Sequence, residues 1–171
     1  LPDRSLPGVA GVVEPDRAWK IVHTPDLDGD GRADILYWNS STGQVYAMLM
    51  NGASVVGQGL VATEANTAWK IVGAGDFSGT GKQNQLLWFN GTNAMVYLMT
   101  VTYSGGVFSQ AGVTVYQEPD LAWKVIGVAD FDGDGRSDIV WRNGTTGAVY
   151  FMLMNGAAIG PQGVVYTEGN P

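Results

Sequence analysis

The chain has 171 residues, 45% hydrophobic and 11% aromatic, which suits one domain with a real core and excludes a disordered chain. Its net charge of −7 argues against nucleic acid or an anionic membrane surface as partner, and no apolar run is long enough for membrane insertion. It has no cysteine, which excludes disulfides and thiol chemistry; calcium is another staple open to a secreted domain.

Taken in order, the chain is one unit written three times. Residues Pro7 to Glu14 read as an outer strand whose own first three strands are missing. Ala18-Trp19-Lys20-Ile21-Val22 then returns as Ala68-Trp69-Lys70-Ile71-Val72 and as Ala122-Trp123-Lys124-Val125-Ile126. The interval is 50 residues from Trp19 to Trp69 and 54 from Trp69 to Trp123, the range of propeller and solenoid repeats. Each unit continues through a polar loop into an apolar run: Ile35-Leu36-Tyr37-Trp38, Leu86-Leu87-Trp88-Phe89 and Ile139-Val140-Trp141. An Asn-led turn follows at Asn39, Asn90 and Asn143, then a strand carrying Tyr46, Tyr97 or Tyr150. Last comes a Gly-Val-rich piece ending in Glu64, Glu118 or Glu168.

Short Val-, Ile-, Tyr- and Trp-rich runs between turn dipeptides are the signature of strands and hairpins, and no window carries a capped helical period. The expected fold is therefore all-β. It is a β-propeller-type array of three four-stranded antiparallel blades, in repeats at about 18–67, 68–121 and 122–171, plus the surplus outer strand at 7–14. Three blades are too few for a ring of about four to eight. The expectation that follows is an excerpt of a longer array, copies of this chain combining, or Pro7–Glu14 crossing into a neighbouring molecule. The partners expected are thus other copies or further repeats, with a glycan or an extracellular protein as alternatives.

The loops carry the clearest chemistry. Asp130-Phe131-Asp132-Gly133-Asp134-Gly135-Arg136-Ser137-Asp138 sets four carboxylates at alternate positions, and Asp26, Asp28, Asp30 and Asp34 repeat the spacing. So many carboxylates in one tight loop call for a cation. Calcium takes six to eight oxygens at about 2.3–2.6 Å, and the Arg32 and Arg136 carbonyls can add one oxygen to each set. A Glu at the twelfth position is missing, Tyr37 and Trp141 standing there, and no flanking helices are expected; both facts exclude an EF-hand. The middle loop is eroded to Asp76, Ser78, Thr80 and Asn84, one formal charge, and is expected not to hold calcium tightly.

These units resemble the FG-GAP/VCBS repeats of integrin-type β-propellers, and residues 130–138 fit that family's calcium motif closely. The resemblance runs from about Ala18 to Gly169. It implies that each loop joins the innermost strand of a blade to the second, with calcium held structurally in two sites, and that the protein works outside the cell or at its surface.

Other residues give weaker signals. All six tryptophans recur in the repeat frame and are expected between blades, except Trp38. It aligns with Phe89 and Arg142, which predicts partial exposure and makes it the candidate contact for a lectin-like reading. Lys20, Lys70 and Lys124 recur with Glu14, Glu64 and Glu118, which predicts ion pairs. The sequons at Asn39, Asn90 and Asn143 read first as turn chemistry. His23 is the single histidine, and no nucleophile motif or phosphate loop is present. The expectation is a non-catalytic module for adhesion or self-assembly, with a lectin or an accessory domain of a secreted hydrolase as alternatives.

Overall fold

A computed structural model describes residues 18–168; the surplus strand expected at 7–14 lies outside them. The described residues form twelve strands and no helix. Blade 1 holds β1 (Trp19–His23), β2 (Ile35–Asn39), β3 (Gln44–Asn51) and β4 (Ser54–Thr63). Blade 2 holds β5 (Trp69–Gly75), β6 (Gln85–Asn90), β7 (Met95–Ser104) and β8 (Val107–Gln117). Blade 3 holds β9 (Trp123–Ala129), β10 (Asp138–Asn143), β11 (Ala148–Asn155) and β12 (Ala158–Thr167). Each is a four-stranded antiparallel meander in sequence order, so the all-β array of three blades is present as expected.

The β2–β3 turn and its two equivalents show why asparagine leads them. The Asn39 side-chain oxygen accepts from the N–H groups of Ser41 (2.9 Å) and Thr42 (3.0 Å), and Asn90 and Asn143 do the same two and three residues on. All three asparagines are buried, so they cap the turn from inside. The turn closes on Gly43, whose φ of +72° suits glycine and whose close approach to the Glu64 carbonyl leaves no room for a Cβ.

Two apolar clusters hold the blades together. One joins blade 1, through Leu36, Trp38, Val45 and Leu49, to blade 2, through Leu86, Trp88, Val101 and Phe108. The other joins the opposite face of blade 2, through Phe77, Leu87, Phe89 and Leu98, to Ile139, Trp141 and Met152 of blade 3. Sandwiched on both faces, β6 is buried at every position. A sheet covered on both sides loses the in–out alternation of a half-exposed strand. Each first strand has a register shift that leaves Val22, Val72 or Ile126 unpaired. Val22 and Val72 pack against the clusters formed with the following blade.

Burial corrects the expectation for Trp38. Only 8% of it is exposed, and Lys70 of the next blade places its ammonium 4.0 Å from the ring centroid. Lys124 sits likewise over Phe89, at 5.3 Å. Lys70 and Lys124 therefore cover aromatic faces of the preceding blade, and no Lys–Glu pair occurs among the described residues. Glu14 lies outside those residues. Glu64 and Glu118 instead accept from the N–H groups of Asn66 and Asp120, ordering the link into the next blade.

Candidate metal centres and inter-blade pockets

The acidic segments are the loops from β1 to β2 and from β9 to β10, where the resemblance places them. Gly29, Gly31, Gly133 and Gly135 all take left-handed backbone conformations, φ +80° to +84°, which a side chain resists. Those turns curl the chain around its first carboxylate. Asp26 accepts from the N–H groups of Gly29 (2.8 Å), Asp30 (3.1 Å) and Gly31 (2.9 Å), and Asp130 from those of Gly133 (2.7 Å) and Gly135 (2.9 Å).

The ninth residue ties each loop to its blade. Asp34 is 1% exposed and accepts from Leu27 N–H and Met50 N–H, both at 2.8 Å. Asp138, equally buried, accepts from Phe131 N–H (2.9 Å) and Met154 N–H (2.8 Å). A single carboxylate thus bridges the loop's second residue and the third strand. Burial pushes the Asp34 carboxyl above its ordinary value, the two N–H donors pull it back in part, and the charges of Asp28 and Asp26 raise it further. A nearby cation would relieve that penalty.

Three carboxylates converge in each loop: Asp26, Asp28 and Asp34 in one, Asp130, Asp132 and Asp138 in the other, with one oxygen of each within 4.8 Å of the others. The fourth carboxylate lies outside each group. Asp30 is taken by Arg32, accepting from its N–H (2.9 Å) and its guanidinium (2.7 Å), and Asp134 is taken the same way by Arg136. The Arg136 hydrogen bonds hold the Asp134 carboxyl below its ordinary value. The residues fit a hard cation even so: each cluster is all oxygen, and three like charges are held close with no opposing charge among them. Asp26, Asp28 and Asp34, and Asp130, Asp132 and Asp138, are the side chains that would hold calcium.

The middle loop has become self-sufficient. Asp76 accepts from Thr80 N–H (3.0 Å), the Thr80 hydroxyl (3.2 Å) and Gly81 N–H. The Ser78 hydroxyl donates to Gln85 (3.1 Å), and the Asn84 amide donates to the Val101 carbonyl (2.8 Å). Neutral hydrogen bonds stand where the other loops have carboxylates.

Two equivalent pockets lie between blades, a feature that sequence reasoning missed. The first, about 280 Å³, is lined by Glu64, Trp69, Trp88, Tyr97 and Met99; the second, about 140 Å³, by Glu118, Trp123, Trp141, Tyr150 and Met152. Trp69 and Trp123 meet Tyr97 and Tyr150 edge-on, at 6.4 and 5.9 Å between centroids. The buried indole N–H groups of Trp88 and Trp141 have no hydrogen-bond partner. The joint recurrence of the glutamate, two tryptophans and tyrosine was the available signal. His23 lies half-buried near blade 2, where Ile71 bonds it through the backbone; burial lowers its pKa.

Comparison with known families agrees with the loop geometry. Residues 26–84 match the FG-GAP-like repeat and residues 119–152 the FG-GAP repeat. No curated protein and no solved structure matches the chain. The first match begins on the first carboxylate of one loop and ends on Asn84, the ninth residue of the next, so it spans a whole repeat in loop-to-loop phase. With three four-stranded blades and two intact acidic loops, the chain belongs to the FG-GAP repeat family, a β-propeller-type repeat module.

Proposed function

We infer that this is a non-catalytic, calcium-stabilised repeat module that works outside the cell by assembly or adhesion. The observation that carries the reading is the pair of three-carboxylate clusters, each tied by a buried aspartate to the third strand of its blade. Calcium there would brace the turn between the first two strands, so its role is structural. Thermal unfolding with calcium and then with a chelator tests this. Occupancy at about 100 times Kd adds ~2.7 kcal/mol per site, a rise of several degrees. The rise shrinks as pH falls towards the carboxylate range, because calcium binds the ionised form of Asp34, whose pKa is raised. Identical melting with calcium and with chelator would sink the reading.

A second reading, carbohydrate binding, is favoured by the two inter-blade pockets rather than by Trp38. Each offers indole and phenol rings for stacking beside a glutamate and an unpaired indole N–H. Glycan binding lost on Trp69→Ala but kept on Trp38→Phe supports it; no glycan bound by the wild type ends it.

A further inference from the structure

We propose that the pocket between blades 1 and 2 binds a phenolic ring, whose place in the equivalent pocket is already filled by the chain's own Tyr116. This goes beyond the carbohydrate reading, which shares the pocket but not the ligand.

The two pockets differ at a matched wall position. Ala62 on β4 lies opposite Val45, and Tyr116 on β8 lies opposite the equivalent Val96, so both hold the same register place in successive blades. Ala62 lines the first pocket and Tyr116 the second, and the first has twice the volume, about 280 against 140 Å³. The glutamate, two tryptophans, tyrosine and methionine are common to both walls. A methyl group thus stands in the first pocket where a phenol stands in the second.

Tyr116 shows what these walls select. From blade 2 it reaches blade 3, where its ring meets Trp141 edge-on at 6.2 Å between centroids. Its hydroxyl donates to Glu118 Oε2 at 3.0 Å, while Glu118 Oε1 accepts the Asp120 N–H at 2.9 Å. Both carboxylate oxygens are thereby used. Burial, and then the bond to Glu118, make the Tyr116 hydroxyl hold its proton more firmly than an ordinary tyrosine does. The glutamate therefore faces a neutral donor and not a phenolate.

In the first pocket the same setting is present without the ring. Glu64 Oε1 accepts the Asn66 N–H at 2.7 Å, and among the described residues no donor reaches its Oε2. Trp88, the equivalent of Trp141, is 2% exposed, and its indole N–H has no partner. A neutral phenol entering here sets its ring against Trp88 and its hydroxyl on Glu64 Oε2, as Tyr116 does on Trp141 and Glu118. The Trp88 N–H is a further donor for a ligand oxygen, since a phenol hydroxyl also accepts. A ring without the hydroxyl would strip water from the carboxylate and return no hydrogen bond. No lysine or arginine lines the pocket, so an anionic ligand finds no opposing charge there.

Isothermal titration of the chain with p-cresol, the tyrosine side chain alone, tests this. One site per chain is expected. Ala62→Tyr gives blade 1 the residue that blade 2 already carries and is expected to bind none. Tyr116→Ala empties the second pocket and is expected to bind two. Melting shows that each variant folds, and either one alone decides the assignment if the other does not. The methyl ether of p-cresol keeps the ring and loses the donor, and is expected to bind about tenfold more weakly or worse. N-acetyltyrosinamide distinguishes the source: binding like p-cresol supports a tyrosine presented on a peptide, and p-cresol binding alone supports a free small phenol. No p-cresol bound by the wild type, an unchanged site in Ala62→Tyr, or equal affinity for the ether overturns the proposal. Methyl glucoside titrated in parallel keeps the two readings apart, because sugar binding without p-cresol binding overturns the phenol site and leaves the carbohydrate reading standing.

Discussion

Replacing Asp138 with alanine is expected to destabilise the protein by about 2–4 kcal/mol even when no calcium is present. The carboxylate is buried and is the acceptor for Phe131 N–H and Met154 N–H. Deleting it strands both donors, and an unsatisfied buried donor costs ~1–3 kcal/mol. For a chain of this size that lowers the melting temperature by roughly 6–12 °C. Asp138→Asn is the informative control: it keeps one acceptor oxygen and the shape of the side chain, and the middle blade already has Asn84 at this place, its amide donating to the Val101 carbonyl. The asparagine variant should therefore lose much less stability in chelator, yet as much of the calcium response. No loss for either variant in chelator would mean that Asp138 serves the ion alone. Chemical denaturation in chelator and in calcium separates the two contributions.

Phe77→Ala is expected to cost more, about 3–5 kcal/mol, because the ring is fully enclosed between blades 2 and 3. The same change at the equivalent Phe131 should cost about 1 kcal/mol or less in dilute solution, since 40% of that residue is exposed and its principal contact is stacking on Phe151 at 4.3 Å. The contrast matters more than either value. In a repeat array, stability is the sum of each repeat's own folding and its contacts with neighbours. Similar losses at the two positions would contradict the difference in burial between the two rings. Urea unfolding followed by tryptophan fluorescence would report both.

Much of this fold was legible because its signals are local. Period-two apolar runs and Asn-led turns mark strands whatever lies across from them, and three copies of Ala-Trp-Lys fixed the phase of the repeat. The acidic loops were equally plain, and their first, third and ninth carboxylates do converge. What failed depended on neighbours distant in sequence. Trp38 aligns with Arg142 and so suggested exposure, but Trp38 lies under Lys70 of the following blade, whereas Arg142 pairs with Glu168. Repeat position was the same and environment was not. Lys70 and Lys124 were expected to meet glutamates and instead cover rings, because the blade-to-blade stagger sets the contact and a one-dimensional pattern does not carry that stagger. Asp30 and Asp134 stand apart from those groups for a nearer reason: each is bonded to the arginine two residues on. The hydrogen bonds from Gln83 to Asp26 and from Ser137 to Asp76 involve only backbone, which leaves no mark on residue type.

The central claim is that two of the three loops hold calcium and the third has replaced it with neutral hydrogen bonds. Isothermal titration of the chelator-stripped protein with calcium measures this directly. The account predicts two sites per chain, falling to one in Asp138→Ala. No binding, or a third site of equal affinity that disappears on Asp76→Ala, would contradict it.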